Sequence, residues 1–343
     1  MSPQTVKPDH ILHELSELWT SLSKQEHEQE HKEGKTEGSG VLRACAMTLI
    51  AFVDGDADSS ALSDTIGRIM RSHPSRAIIV RLHKTEGILD SRVFAQCWMP
   101  AGRHKQICCE QVELSVSLNR AADIPSIIAP LAAPDVPRVI WFRSSAIDGV
   151  PELDGILALG DKMIVDTAHP GAPAFADLRV LSNAGCIVGD LSWTRLTKLR
   201  QLVAQLLDGS DLSAVQNVSI EYSGSEAPPE AKYLQAWLRS ELRSELRSEL
   251  RPELRSDRQS ASVDLRPVDS AGPKRIKTIR IDTGIHIRLE ENCAEYETGS
   301  MRQRANLPKS SEGELLGEEL NIMSHDRIFE RALQRMTAWT PRS

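Results

Sequence analysis

"VLRACAMTLIAFVDGDADSSALSDTIGRIMRSHPSRAIIVRL" (residues 41–82) is the stretch that decides the class of fold. It opens on a long apolar run, 41–53, which predicts a strand buried on both faces. "DGDADSS" (54–60) breaks the run with acids and glycine. The helix that follows puts Leu62, Ile66, Ile69 and Met70 on one face and stops at Pro74. "RAIIVRL" (76–82) is then a second buried strand. Strand, helix and strand in succession predict an α/β layered architecture.

Working outward, "RVFAQCWMPA" (92–101) and "KQICCEQVELSVSL" (105–118) alternate as antiparallel strands do, so the sheet is expected to be mixed. "ADIPSIIAPLAAPDVP" (122–137) reads as a short proline-edged helix, with strands at "RVIWF" (138–142) and "KMIVDTA" (162–168). "GDLSWTRLTKLRQLVAQLLD" (189–208) is an amphipathic helix with a polar entry. Beyond it, "NVSIEYSG", "KRIKTIRI" and "IHIRLEE" are strand-like, a further strand is expected near 294–305, and "HDRIFERALQRMTAW" is helical. Both halves follow the pattern β-α-β-β-β-α, which predicts two related domains. The expected boundaries are 1–40 for an N-terminal helix and polar linker, 41–210 for one α/β domain and 211–343 for a second. The second carries a low-complexity insert, "LRSELRSELRSELRPELRS" (238–256). Its period of four stacks like charges at i,i+4 on a helix, and its leucines hold no heptad stripe. It reads as a helical extension fraying at Pro252.

The chain has 343 residues and a net charge of −7, from 41 Lys+Arg against 48 Asp+Glu. With no basic stripe, nucleic acid is not an expected partner. No apolar run is long enough to span a membrane, and a cytoplasmic location is expected. The six cysteines include no C-x-x-C pair, so buried free thiols are expected rather than a disulfide framework.

Several patterns suggest chemistry, and each has a plainer reading. "HEQEH" (27–31) fits H-E-x-x-H, which would make His27 and His31 zinc ligands and Glu28 the base of a hydrolase. Its surroundings offer nothing to bury, so a chance match in a polar segment is the better account. Asp54, Asp56 and Asp58 open like a calcium loop, but Ser59 and Thr65 stand where glycine and glutamate belong. These acids are expected to favour the start of the following helix instead. Phosphate-binding glycine loops and a G-x-S-x-G elbow are missing from the sequence. A triad of His73, Asp166 and Ser192 can be imagined, but nothing in their spacing brings them together. His73 and Arg76 sit where a helix gives way to a strand, a turn that could also meet an anion or an acidic partner. Asp190 or Ser192 can cap the helix at 189–208. Trp193 and Arg195 are residue types enriched at interface hot spots, although Trp193 could equally anchor the core.

"HPSRAIIV" (73–80), "PDVPRVIWF" (134–142), "DKMIVDTA" (161–168) and "GDLSWTRLTKLRQLVAQLLD", in this order, resemble the glucose-6-phosphate dehydrogenase assembly protein family, OpcA. The resemblance covers about residues 41–240. Phe142 replaces a second tryptophan common in the family, and the His/Glu segment and the R-S-E-L repeat are additions. The resemblance implies a non-enzymatic protein without cofactor or metal. Its partner would be glucose-6-phosphate dehydrogenase, whose active oligomer it would promote, supporting NADPH production in the oxidative pentose phosphate pathway. It further implies that His73, Arg76, Trp193 and Arg195 lie near the partner surface. The alternative is a regulator that binds a sugar phosphate at the ends of the sheet strands.

Overall fold

The computed structural model describes residues 6–33, 40–100, 105–145, 153–208, 212–248, 261–268 and 273–336. The elements of the first part of the chain are α1 (Pro8–Glu33), β1 (Gly40–Arg43), β2 (Met47–Asp54), α2 (Ser59–Ser72), β3 (Ser75–His83), β4 (Leu89–Trp98), β5 (Lys105–Ser117), α3 (Ile124–Leu131), β6 (Arg138–Arg143), α4 (Leu153–Leu157), β7 (Lys162–Val165), α5 (Phe175–Asn183) and β8 (Ile187–Asp190). There follow α6 (Leu191–Thr194), α7 (Thr197–Asp208), β9 (Asn217–Ser223), α8 (Pro229–Ser248), β10 (Ser262–Val268), β11 (Arg275–Ile281), β12 (Ile285–Leu289), β13 (Cys293–Thr298), β14 (Met301–Asn306), α9 (Glu312–Leu320) and α10 (Arg327–Met336).

The chain divides into two compact units. The first gathers residues 1–173, 186–189 and 312–323; the second gathers 174–185, 190–311 and 324–343.

In the first unit β2, β3, β5 and β6 are parallel neighbours, and the order β5-β3-β2-β6-β7-β8 places the earliest of these strands in the middle. This is the doubly wound order, with the chain working outward first one way and then the other. The sheet is mixed because β4 lies antiparallel on β5. The central strand earns its place by composition: Leu49, Ile50, Ala51, Phe52 and Val53 are fully buried. Phe52 stacks on Phe142 of β6 at 5.1 Å. Helix α2 starts where Asp58 accepts main-chain N–H bonds from Ser60 (2.8 Å) and Ala61 (3.4 Å), and it buries Leu62, Ile66, Ile69 and Met70.

The first unit also contains a buried carboxylate in a strand. Glu110 of β5 accepts from Trp19 Nε1 of α1 (2.5 Å), Arg76 Nε (2.5 Å) and Arg43 Nη2 (2.6 Å). Burying a charge is tolerable only with such pairing.

The second unit holds a six-stranded sheet in the order β10-β9-β11-β12-β13-β14. β10 is parallel to β9, and the rest is antiparallel. Val218, Ile220, Ile279, Ile281, Ile285 and Ile287 are buried. α8 is tied to the sheet edge by Gln235 Nε2 and Arg239 Nη2, both donating to the Val263 carbonyl (2.7 and 2.8 Å).

Several expectations need correcting. The sheets pair differently, one doubly wound and one largely a meander, so the two halves are not copies of one topology. The 41–53 run is two strands, because β1 pairs with β5 while β2 enters the sheet centre. β8, β10 and α9 are further elements, and none of them carries a strong period in the sequence. The strand expected near 294–305 is a hairpin turning at Gly299, whose φ of 59° suits glycine. Cys97 and Cys108 are not free: they face each other across β4 and β5 with Cα atoms 4.1 Å apart and form a disulfide. Cys45, Cys109, Cys186 and Cys293 are free thiols. The side chains of His27, Glu28 and His31 lie outside the described residues, as does the repeat from residue 249 onward. Its first leucines, Leu238 and Leu242, are buried.

Candidate functional site

In a doubly wound sheet, ligands bind outside the carboxyl ends of the strands where the order reverses. In the first unit that point lies between β2 and β6, and the chain's own groups occupy much of it. Asp54, at the end of β2, accepts from Ser144 Oγ (2.6 Å), Ser145 N (3.0 Å) and Ser145 Oγ (3.0 Å) beyond the end of β6. Burial pushes its carboxyl up, but the bonds from Ser144 and Ser145 and the nearby His169 more than offset this and hold it below the ordinary range. Asp58 fills the α2 N-terminus with a carboxylate, where a phosphate would otherwise bind the free amides. Arg81 fixes the intervening turn, donating to the Ala57 carbonyl (2.9 Å), Ser59 Oγ (2.9 Å) and Glu113 Oε1 (2.6 Å). A side chain at Gly55 would collide with the His83 ring, so glycine is required there. What remains is a cavity of about 310 Å³ lined by Asp54, Asp56, His83, Lys84, Thr85 and Ser145. Among the described residues no group of three His, Cys, Asp or Glu side chains could hold a metal ion.

His73 and Arg76 part company. His73 ends α2, half-exposed, with Nδ1 3.0 Å from Ser72 Oγ and Nε2 3.2 Å from Asn321 Oδ1. Both ring nitrogens are therefore engaged away from Asp166. Arg76 is buried at 7% exposure, donating to Glu110 and to the Leu131 carbonyl (2.6 Å).

The 189–208 stretch builds the interior of the second unit. Asp190 caps α6 by accepting from Ser192 N (2.9 Å) and also accepts from Tyr233 OH (2.6 Å). Trp193 is buried at 3% exposure, with ring centroids 5.7 Å from both Tyr233 and Phe329. Its Nε1 donates to Asp326 Oδ2 (3.2 Å), and the Arg200 guanidinium lies 3.6 Å from its ring centre. Arg195 is the exposed member, paired with Glu230 at 2.8 Å. The cap and the tryptophan are thus both structural. The sequence signalled the cap, but the buried Glu110, Lys162 and Glu319 left only a charged letter inside or beside an apolar run.

Residues 67–182 match the family described as glucose-6-phosphate dehydrogenase subunit N-terminal domain, and residues 186–333 match its C-terminal domain. The chain belongs to the OpcA family. OxPP cycle protein OpcA of Synechocystis sp. (strain ATCC 27184 / PCC 6803 / Kazusa) is 26% identical over 218 residues, 60% of this chain and 43% of that protein. The OpcA of Nostoc punctiforme is 27% identical over 138 residues, 38% of this chain and 30% of that protein. The chain thus spans less than half the length of these OpcA relatives. Among solved structures, biliverdin reductase from Synechocystis sp. PCC 6803 is 11% identical with a TM-score of 0.44, covering 84% of this chain and 96% of that one. The ketoreductase KijD10 of Actinomadura kijaniata is 12% identical with a TM-score of 0.45, covering 85% and 96%. At these scores the likeness bears on neither the site nor its chemistry. No helix among the described residues is long and apolar enough to cross a membrane.

Proposed function

We propose that this chain is a non-catalytic partner of glucose-6-phosphate dehydrogenase that favours the enzyme's active oligomer. The observation that carries the reading is the pair of OpcA-family domains, 67–182 and 186–333, which together take up most of the chain. The switch point supports it: Asp58 occupies the N-terminus of α2, where a dinucleotide-dependent enzyme would seat its cofactor's pyrophosphate. Activation then requires tighter binding to the active state than to the inactive one, since an effector shifts an equilibrium only by its differential affinity. Of the four proposed partner residues, His73 is half-exposed and Arg195 exposed, which supports proposing these two as the direct contacts. Arg76 and Trp193 would shape the surface from below.

The test is dehydrogenase activity with and without the chain, using the enzyme of the same host, with oligomer size followed in parallel. A higher rate or lower KM together with a larger complex is expected. An unchanged rate and unchanged size would overturn the reading.

A further inference from the structure

The doubly wound sheet keeps a cavity at the place where its topology favours a ligand. The second strand of such a sheet ordinarily ends beside the ribose of a nucleotide, with an acid for its hydroxyls or a cation for a phosphate carried on it. Here that strand is β3, and it ends in His83, followed by Lys84 and Thr85. Lys84 is exposed and forms no ion pair among the described residues. The His83 ring is part of the cavity wall, with its Nε2 shielded from solvent. Asp56 adds an exposed carboxylate to the same lining, a group that accepts from hydroxyls.

Size and the capped α2 amides narrow the ligand. A volume of about 310 Å³ is at the lower end of small-molecule sites, roughly 300–1,000 Å³, which suits one sugar ring and a phosphate. The amides that would hold a pyrophosphate are taken by Asp58. We propose that this cavity binds a ribose carrying a phosphomonoester, with Lys84 and Thr85 at the phosphate, Asp56 at the ring hydroxyls and the His83 ring as the wall beside the sugar. A dinucleotide is excluded because Asp58 caps the α2 amides that would hold its pyrophosphate.

The experiment is isothermal titration of the full chain with ribose 5-phosphate, adenosine 2′-monophosphate, inorganic phosphate and NADP+, with no dehydrogenase present. Saturable binding of at least one monoester is expected, weakened tenfold or more by Lys84→Ala, with the unliganded melting temperature unchanged because Lys84 is exposed. Tighter binding of the free sugar phosphate or of the nucleotide identifies the source of the ligand. The proposal is overturned by no saturable monoester binding, by affinity indifferent to Lys84→Ala, by inorganic phosphate binding as well as the monoesters, or by NADP+ binding more tightly than either. Since the dehydrogenase is absent, the result stands apart from the assembly role.

Discussion

Lys162 and Glu319, 157 residues apart in sequence, form an ion pair in the interior of the first unit, with Nζ 2.7 Å from Oε1. The lysine also donates to the carbonyls of Glu319 (2.8 Å) and Ile322 (2.6 Å), so all three of its protons are placed. The pair fastens α9, which returns late in the chain, onto the start of β7. Gly189 lies against the same carboxylate, and any side chain there would collide with it. This assigns the glycine of "GDLSW" a packing duty.

Breaking such a pair from one side leaves a buried charge without compensation. Lys162→Met is expected to cost about 3–5 kcal/mol in urea unfolding, whereas Lys162→Met with Glu319→Leu should recover much of the loss. Equal losses in the single and double variants would show that α9 is held by its apolar contacts alone.

Trp193 and Arg195 are two positions apart and should behave oppositely. Trp193→Ala empties the centre of an aromatic cluster and should cost about 3–5 kcal/mol of stability. Arg195→Ala removes an exposed pair with Glu230 and should cost about 1 kcal/mol or less. If Arg195 meets the dehydrogenase, Arg195→Ala will weaken co-sedimentation with the enzyme while leaving the melting curve in place. Intact co-sedimentation would remove Arg195 from the partner surface.

The disulfide gives a third test. Cys97 and Cys108 already face each other across a hairpin, so their bond chiefly restricts the unfolded chain, by up to about 3 kcal/mol for a short loop. Reductant should lower the unfolding midpoint of the native chain but not that of a Cys97→Ser, Cys108→Ser variant. Next to them, burial pushes the Cys109 thiol up to about 11. Iodoacetamide at neutral pH should therefore label Cys109 only after denaturation; labelling of the native chain would mean that this edge of the sheet opens.

How much of this was legible follows from where the signal resides. The β2-α2-β3 unit was readable because β2 is buried on both faces and α2 carries a cap and an apolar face. β8 was not, since four residues, Ile187–Asp190, are too few to display a period. β14 was obscured because an edge strand reading Met301–Asn306 exposes nearly all its side chains. Of the site, the acids of 54–58 were readable as helix-starting residues, and Asp58 is one. That Asp54 reaches Ser144 and Ser145 depends on strand order, which no local pattern specifies. Trp193 was ambiguous for the same reason: its partners Tyr233, Asp326 and Phe329 come from distant segments.

Asp54 offers the last prediction. Its folded carboxyl lies below the ordinary value because the bonds from Ser144 and Ser145 outweigh burial. A depressed acid contributes stability that is complete above its unfolded pKa, roughly 3.9, and that is lost as pH falls through the lower folded value. Asp54→Asn should therefore be less stable than the native chain at neutral pH, since an amide accepts fewer of these bonds. The gap should be constant down to about pH 4–5 and close below that, as the native carboxyl takes up its proton. Thermal unfolding of both proteins between neutral and strongly acid pH measures it. Curves that stay parallel through the acid range would mean that the serine bonds do not hold Asp54 ionised, and that another contact joins the ends of β2 and β6.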